Sequence, residues 1–230
     1  MKSVCIIPAR GGSKRIPRKN IKDFCGKPII AWVIETVRKS NCVDKIIVST
    51  DDTEIAEVSI QRGAEVPFWR PSELSDDHTP TRPVINHAIR EIDVHYGRYD
   101  YICCVYPTAV FLKHEDLQKG KELLIETKAD FVFSVTSFPY PIKRALRITK
   151  TNRVEMFFPE YRYTRSQDLE ETYHDAGQFY WGHTNAFLEN KPTFSNGSVP
   201  FVLPRYRVHD LDTLEDWERA KLMYTALKEF

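Results

Sequence analysis

Val4-Cys5-Ile6-Ile7-Pro8-Ala9-Arg10-Gly11-Gly12-Ser13-Lys14-Arg15-Ile16-Pro17-Arg18-Lys19-Asn20 decides the fold class of this 230-residue chain. Its four leading apolar residues are stopped by Pro8, the pattern of a short strand buried on both faces. A glycine-containing loop follows. Beyond it Ile29, Ile30, Val33, Ile34 and Val37 recur at the spacing of a helix that buries one side. Residues 45–49 contain Ile46-Ile47-Val48, a second buried strand, and 53–62 are helical in pattern, with Gly63 placed for a left-handed C-terminal cap. Strand, helix, strand, helix in that order predicts a parallel sheet with right-handed crossovers.

The rhythm persists downstream. Residues 84–96 read as a helix, 101–106 as a strand, 115–126 as a helix and 131–135 as a strand. From 137 to 174 it breaks: the stretch is rich in Pro, Arg, Tyr and Phe and has little periodicity, so it is read as an excursion from the core and as a dimerisation arm. Residues 178–181 return to strand character, and 199–203 are a weaker strand. A closing helix from Leu214 carries Trp217, Ala220, Met223, Tyr224 and Leu227 on one face. The expectation is an α/β, three-layer, Rossmann-like single domain over 1–230 with a mixed, mostly parallel sheet.

Composition narrows the function. Hydrophobic residues at 42% and charged residues at 28% are the balance of a folded chain, not a disordered one. A net charge of +1 supplies no global field toward nucleic acid or membrane, so any anion site must be local. The N-terminal apolar run is too short for a signal peptide or a spanning helix, which predicts a cytoplasmic protein. Five cysteines, with no Cys-x-x-Cys and three of them in strand-like runs, read as buried free thiols.

Five of the ten residues from Arg10 to Lys19 are basic and none is acidic. The loop sits at the carboxyl end of the first strand, where open α/β sheets place ligands. Gly11 and Gly12 are read as positions free to take positive φ and to bring backbone N–H groups close to a ligand. A polyphosphate suits such a loop; a solvated basic turn is the alternative. Neither Gly-x-x-x-x-Gly-Lys-Ser/Thr nor Gly-x-Gly-x-x-Gly is present. Near the other terminus, Asp210 and Asp212 in His209-Asp210-Leu211-Asp212-Thr213 stand two apart, so an extended segment puts both carboxylates on one side. They can hold Mg²⁺ together with phosphate oxygens and water. Capping of the last helix by Asp212 or Thr213 is the competing reading. Ser49-Thr50-Asp51-Asp52 after the second strand reads as a helix N-terminus with Asp capping.

The segment from Ile7 to Asn20 resembles the N-terminal signature of the CMP-sialic acid synthetase family of nucleotidyltransferases. The Asp-x-Asp-Thr-x-x-Asp element from Asp210 to Asp216 is similar to the metal-binding motif of the same family. The resemblance implies a nucleotide-diphospho-sugar-transferase-like fold that joins CTP to a nonulosonic acid, with Arg10, Lys19, Asp210 and Asp212 as its catalytic groups. It implies that Asp210 and Asp212 hold Mg²⁺, with Mn²⁺ able to substitute. It places Ala9, Arg10, Gly11, Ser13, Lys14, Lys19 and Asn20 around the nucleotide, joined by Arg70, Thr79 and Thr81. The same resemblance implies structural support of the nucleotide site as the even alternative to capping for Ser49-Thr50-Asp51-Asp52.

Two departures bear on the sugar. Where sialic acid enzymes carry Gln-Pro-Thr-Ser-Pro-Leu-Arg, this chain has Tyr106-Pro107-Thr108-Ala109-Val110-Phe111-Leu112. Where they carry Asn-Gly-Ala, it has His174-Asp175-Ala176-Gly177-Gln178-Phe179-Tyr180-Trp181, which resembles the pseudaminic acid branch of the family. Tyr106, Thr108, Asp175, Gln178 and Tyr180 are therefore the expected sugar contacts; legionaminic, N-acetylneuraminic and 3-deoxy-octulosonic acids are the alternatives. Phe179 and Trp181 read as core. Lys143 and Arg165 match positions that reach the partner's active site in related homodimers. No nucleic acid or membrane partner is expected.

Overall fold

The computed structural model describes residues 1–228. Its elements run β1 (Ser3–Pro8), β2 (Asp23–Phe24), β3 (Lys27–Pro28), α1 (Ile29–Ser40), β4 (Lys45–Ser49), α2 (Thr53–Gln61), α3 (Thr81–Tyr96), β5 (Tyr101–Val105), α4 (His114–Thr127), β6 (Phe131–Ser137), β7 (Leu146–Ile148), β8 (Val154–Met156), β9 (Tyr173–His183), α5 (Thr184–Leu188), β10 (Ser198–Val202) and α6 (Leu214–Lys228). A six-stranded sheet has the order β10-β6-β9-β5-β1-β4. β1 lies parallel to β4 and β5, and β10 parallel to β6. Only β9 runs against its neighbours. The sheet is thus mixed and mostly parallel.

Period-two alternation along β1 explains the three layers. Cys5 and Ile7 point to one face, where Ile30, Val33 and Ile34 of α1, Ile55 of α2 and Leu117 and Leu124 of α4 pack on them. Val4 and Ile6 point to the other, against Ile85, Ala88, Ile89 and Ile92 of α3 and Phe187 of α5. Each buried Val, Ile, Leu or Phe side chain among them stabilises the fold by roughly 1.5–3 kcal/mol. Phe179 and Trp181 are fully buried in the first cluster. A third cluster joins distant segments: Ile16 of the basic loop, Phe24, Ile29, Phe111, Leu211 and Trp217 pack together. It brings the two charged motifs onto one side of the molecule.

Local signals explain the boundaries. Asp52 caps α2 by accepting the Ile55 N–H at 3.0 Å, and Gly63 just beyond it has φ 91°. Thr213 and Asp216 exchange hydrogen bonds at the start of α6, so Thr213, not Asp212, is the cap. α3 begins at Thr81, three residues before the apolar pattern does, because Pro80 ends the preceding loop and Pro83 tolerates a first helical turn. Leu227, expected on the apolar face of α6, is exposed. β9 is far longer than 178–181 because it goes on pairing with β6 on the far side of a register shift between Phe133 and Val135, through Asp175, His174 and Tyr173; Gly177 takes φ 60° at that bulge.

Gly11 and Gly12 do not have positive φ. Gly11 serves space instead: a Cβ there would lie 2.6 Å from Asp52 Oδ2. Residues 138–172 leave the main sheet and carry only the small β7–β8 sheet and short 3-10 turns. None of the five cysteines is in a disulfide. Among the described residues no helix is long and apolar enough to cross a membrane.

Candidate nucleotide and sugar site

A cavity of about 580 Å³ opens at the carboxyl end of β1, lined by residues from five segments of the chain. The basic loop contributes Arg10, Ser13, Lys14, Arg15, Lys19 and Asn20; the loop before α3 contributes Arg70, Asp77 and Thr79; α3 contributes Thr81; Tyr106 and Thr108 follow β5, and Asp210 comes from the far terminus. Lys19 Nζ donates to the Leu211 carbonyl at 2.8 Å and lies 3.8 Å from Asp212. Arg15 pairs with Asp212 at 2.6 Å. The cationic loop and the acidic pair, almost two hundred positions apart, therefore meet at one cleft.

Every cation of the loop is held by an acid or a carbonyl. Arg10 and Lys14 share Asp77, at 2.6 and 2.5 Å. Those two cations hold the Asp77 carboxyl at about 2, well below its ordinary range. Arg18 is turned to Asp52 and Glu54. Asn20 braces the loop by donating to the Arg10 carbonyl at 2.9 Å. Burial lowers the Lys19 ammonium, and Asp212 and Asp210 partly oppose that shift.

Arg70 is 6% exposed, and its guanidinium donates to Ser49 Oγ at 3.1 Å and to the Ser49 carbonyl, with no carboxylate in salt-bridge contact among the described residues. Burial pushes it down to about 10. A buried cation without a counter-ion at the wall of a cleft suits an anionic ligand. Thr79 Oγ1 is engaged with Asp76 at 2.7 Å. Ala9 and Gly11 do not line the cavity. Ala9 is fully buried with its N–H on the Ser49 carbonyl at 2.9 Å, and the Gly11 N–H donates to Asp51 at 2.9 Å.

Two smaller cavities adjoin. One, about 280 Å³, is walled by Tyr106, Asp175, Tyr180, Phe131, Phe187 and Phe194. The other, about 370 Å³, is walled by Tyr106, Thr108, Asp175, Gln178, His209 and Asp210, among others. Tyr106 is common to all three. Its hydroxyl lies 2.9 Å from Thr81 Oγ1, and burial pushes its phenol up to about 12. Burial also drives Tyr180 upward, and its hydroxyl donates to Asp175. Asp175 is fixed in turn by the Gly177 N–H at 2.9 Å, a turn that the positive φ of Gly177 permits. The bulge in β9 thus aims Asp175 and Gln178 at the cleft. Gln178 is 4% exposed; its amide nitrogen donates to the Arg207 carbonyl at 2.5 Å, while its Oε1 has no partner.

Lys143 and Arg165 line none of these cavities in their own chain. They pair with Glu170 at 3.0 Å and Asp168 at 2.7 Å on the excursion. Asp210 is exposed in the cleft and Asp212 is half-buried, with the apolar Leu211 turned inward between them. No cluster of three or more ligating side chains occurs among the described residues. Asp210 lines the cleft and Asp212, paired with Arg15, lies beside it near Lys19; two such hard oxygen donors fit a Mg²⁺ whose remaining ligands are phosphate oxygens and water.

Asp77 and the Arg207–Asp116 pair escaped the sequence reading. An acid in an exposed loop carries no local signal. Asp116 did carry one, as the third residue after Lys113 in the position of a helix-capping acid, with its oxygen accepting the Lys113 N–H at 3.0 Å.

Comparison with known proteins agrees with this geometry. A family model described as cytidylyltransferase matches residues 4–220. A pseudaminic acid cytidylyltransferase of Campylobacter jejuni is 46% identical over 229 residues, covering 100% of this chain and 99% of its own length. A CMP-N,N'-diacetyllegionaminic acid synthase of Legionella pneumophila is 33% identical, covering 94% of each. A solved CMP:2-keto-3-deoxy-manno-octonic acid synthetase complexed with CTP superposes with a TM-score of 0.73 at 15% identity, over 98% of this chain and 99% of that one.

Proposed function

The chain belongs to the cytidylyltransferase family, and on that premise we propose that it transfers CMP from CTP to the anomeric hydroxyl of pseudaminic acid, releasing pyrophosphate. One observation carries the reading: Arg10 and Lys19 line one cleft with Asp210, and Asp212 lies 3.8 Å from Lys19. The anomeric oxygen attacks the α-phosphorus in line. The new O–P bond forms as the bond to the pyrophosphate oxygen breaks, so no protein nucleophile is needed.

Arg10, Lys14 and Lys19 bind the triphosphate and stabilise charge on the departing pyrophosphate, with Ser13, Asn20, Arg70, Thr79 and Thr81 completing the nucleotide's surroundings. Asp210 and Asp212 hold Mg²⁺, or Mn²⁺ in its place. When bound there, the ion withdraws charge from the phosphates. Tyr106, Thr108, Asp175, Gln178 and Tyr180 orient the sugar; Asp175 accepts, and Gln178 can accept through its open oxygen, which suits a sugar bearing acetamido N–H groups.

The excursion assembles a homodimer. It exposes Ile148, Phe157 and Tyr163, apolar surface for a second copy to cover as it brings Lys143 and Arg165 to the neighbouring cleft. The enzyme works in the cytoplasm, where CTP is made and five thiols stay reduced.

The test is pyrophosphate release from CTP with pseudaminic, legionaminic, N-acetylneuraminic and 3-deoxy-octulosonic acids, with and without Mg²⁺, for the wild type and Asp212→Ala. Pseudaminic acid should turn over fastest, and only with metal. Arg10→Ala should lose about 10²–10³ in kcat, the value of one positioned charge-stabilising donor. A different preferred acid refutes the sugar assignment, and rapid metal-free turnover refutes the role of the aspartates.

A further inference from the structure

Arg207 and Asp116 form a buried ion pair that touches neither the basic loop nor the cleft. They are 8% and 7% exposed. The guanidinium meets the carboxylate with both of its terminal nitrogens, at 2.6 and 3.2 Å. Asp116 is fixed from its own side, because it also caps α4. Arg207 ends the 3-10 turn Arg205–Arg207. Three residues on stands Asp210, which lines both the large cavity and the 370 Å³ one. The Arg207 carbonyl accepts the Gln178 amide, tying the turn to β9. On the far side of Asp210, Leu211 is sealed in the third apolar cluster and its carbonyl accepts Lys19. The acidic segment is thus strung between two fixed points, Arg207 and Leu211.

A buried ion pair is a poor way to stabilise a turn. Removing two charges from water largely offsets their attraction, and apolar residues of similar volume commonly do as well or better. What apolar residues lack is direction: a guanidinium fork meets a carboxylate in one geometry. We propose that the Arg207–Asp116 pair is a positioning device that sets the main-chain path of residues 208–210 and so the aim of the Asp210 carboxylate toward the metal. The inference rests on the metal-holding reading of Asp210 and Asp212. Arg207 itself touches no substrate and acts through the segment it anchors.

The test compares the wild type with Arg207→Lys, the double variant Asp116→Leu/Arg207→Met, and Asp212→Ala. Mn²⁺ affinity in the presence of CTP is read by electron paramagnetic resonance, CTP affinity without metal by calorimetry, and folding by thermal melting. Arg207→Lys keeps the charge and loses the fork; the double variant removes both charges and keeps the volume. Both should melt near the wild type and bind metal-free CTP as it does. Both should hold Mn²⁺ about 10-fold or more weakly, the effect typical of lost outer-shell support for a metal ligand. Unchanged Mn²⁺ affinity in either folded variant overturns the proposal, and if the double variant does not fold, Arg207→Lys decides alone. Asp212→Ala separates the two readings. Wild-type Mn²⁺ binding there removes the metal site itself; loss there with no change in the Arg207 variants removes only the positioning role.

Discussion

Replacing Gly11 by alanine tests how the basic loop is seated on the sheet. The new Cβ would lie 2.6 Å from Asp52 Oδ2 and 2.9 Å from Asp52 Cβ. The oxygen can rotate away but the Cβ cannot, since it moves only with the backbone. Asp52 is also the cap of α2 and a partner of Arg18, with its Oδ1 3.0 Å from the Ile55 nitrogen and 3.0 Å from Arg18 Nη2. Relief therefore requires that the loop lift or that the cap be given up. Overpacking costs about 1–3 kcal/mol and a lost N-cap about 1 kcal/mol, so either route costs about 1–3 kcal/mol. For a chain of this length each kcal/mol moves the melting midpoint by about 2–4 °C, so a fall of about 2–12 °C is expected by calorimetry. Gly12→Ala is the control. Its Cβ would find nothing nearer than Arg10 Nη1 at 3.9 Å, and it should stay within about 0.5 kcal/mol of the wild type. Equal melting of Gly11→Ala and Gly12→Ala would refute the reasoning.

Arg70→Met should weaken CTP binding about 10-fold or more, the worth of a hydrogen bond to a charged group, without lowering the melting midpoint; calorimetric titration and a thermal scan check both parts. Asp77→Asn releases Arg10 and Lys14 from their internal anion and should tighten CTP binding at low salt; unchanged or weaker affinity in the same titration contradicts it. Acid should destabilise the fold in a defined window. Arg18 holds Asp52 below its usual range, and Lys14 and Arg10 hold Asp77 at about 2. The unfolded chain therefore takes up these protons first: the stabilisation is present above the ordinary carboxyl value of 3.8 and is lost as pH falls toward about 2. Urea midpoints measured down that range should drop, and less steeply in Asp52→Asn.

The sheet was legible because its strands are buried on both faces, so that Ile6-Ile7 and Ile46-Ile47-Val48 show as apolar runs without any partner in view. The helices were legible through spacing, and the loop through charge density. Other features depend on partners far apart in the chain. Asp77 meets Arg10 across 67 positions and Arg207 meets Asp116 across 91. The bulge in β9 was invisible because it is a mismatch of register with β6, a property of two strands together. Gly11 was noticed for the wrong reason: the residue answers to the space beside Asp52, not to a backbone angle.

The excursion begins and ends at one place. Ser137, closing β6, pairs with Tyr173, opening β9, and the Phe138 N–H reaches the Thr172 carbonyl at 3.0 Å. To the sheet, everything between is a long detour on a hairpin that a tight turn could close as well. Such a module can be lengthened or trimmed without re-threading the strands beneath it.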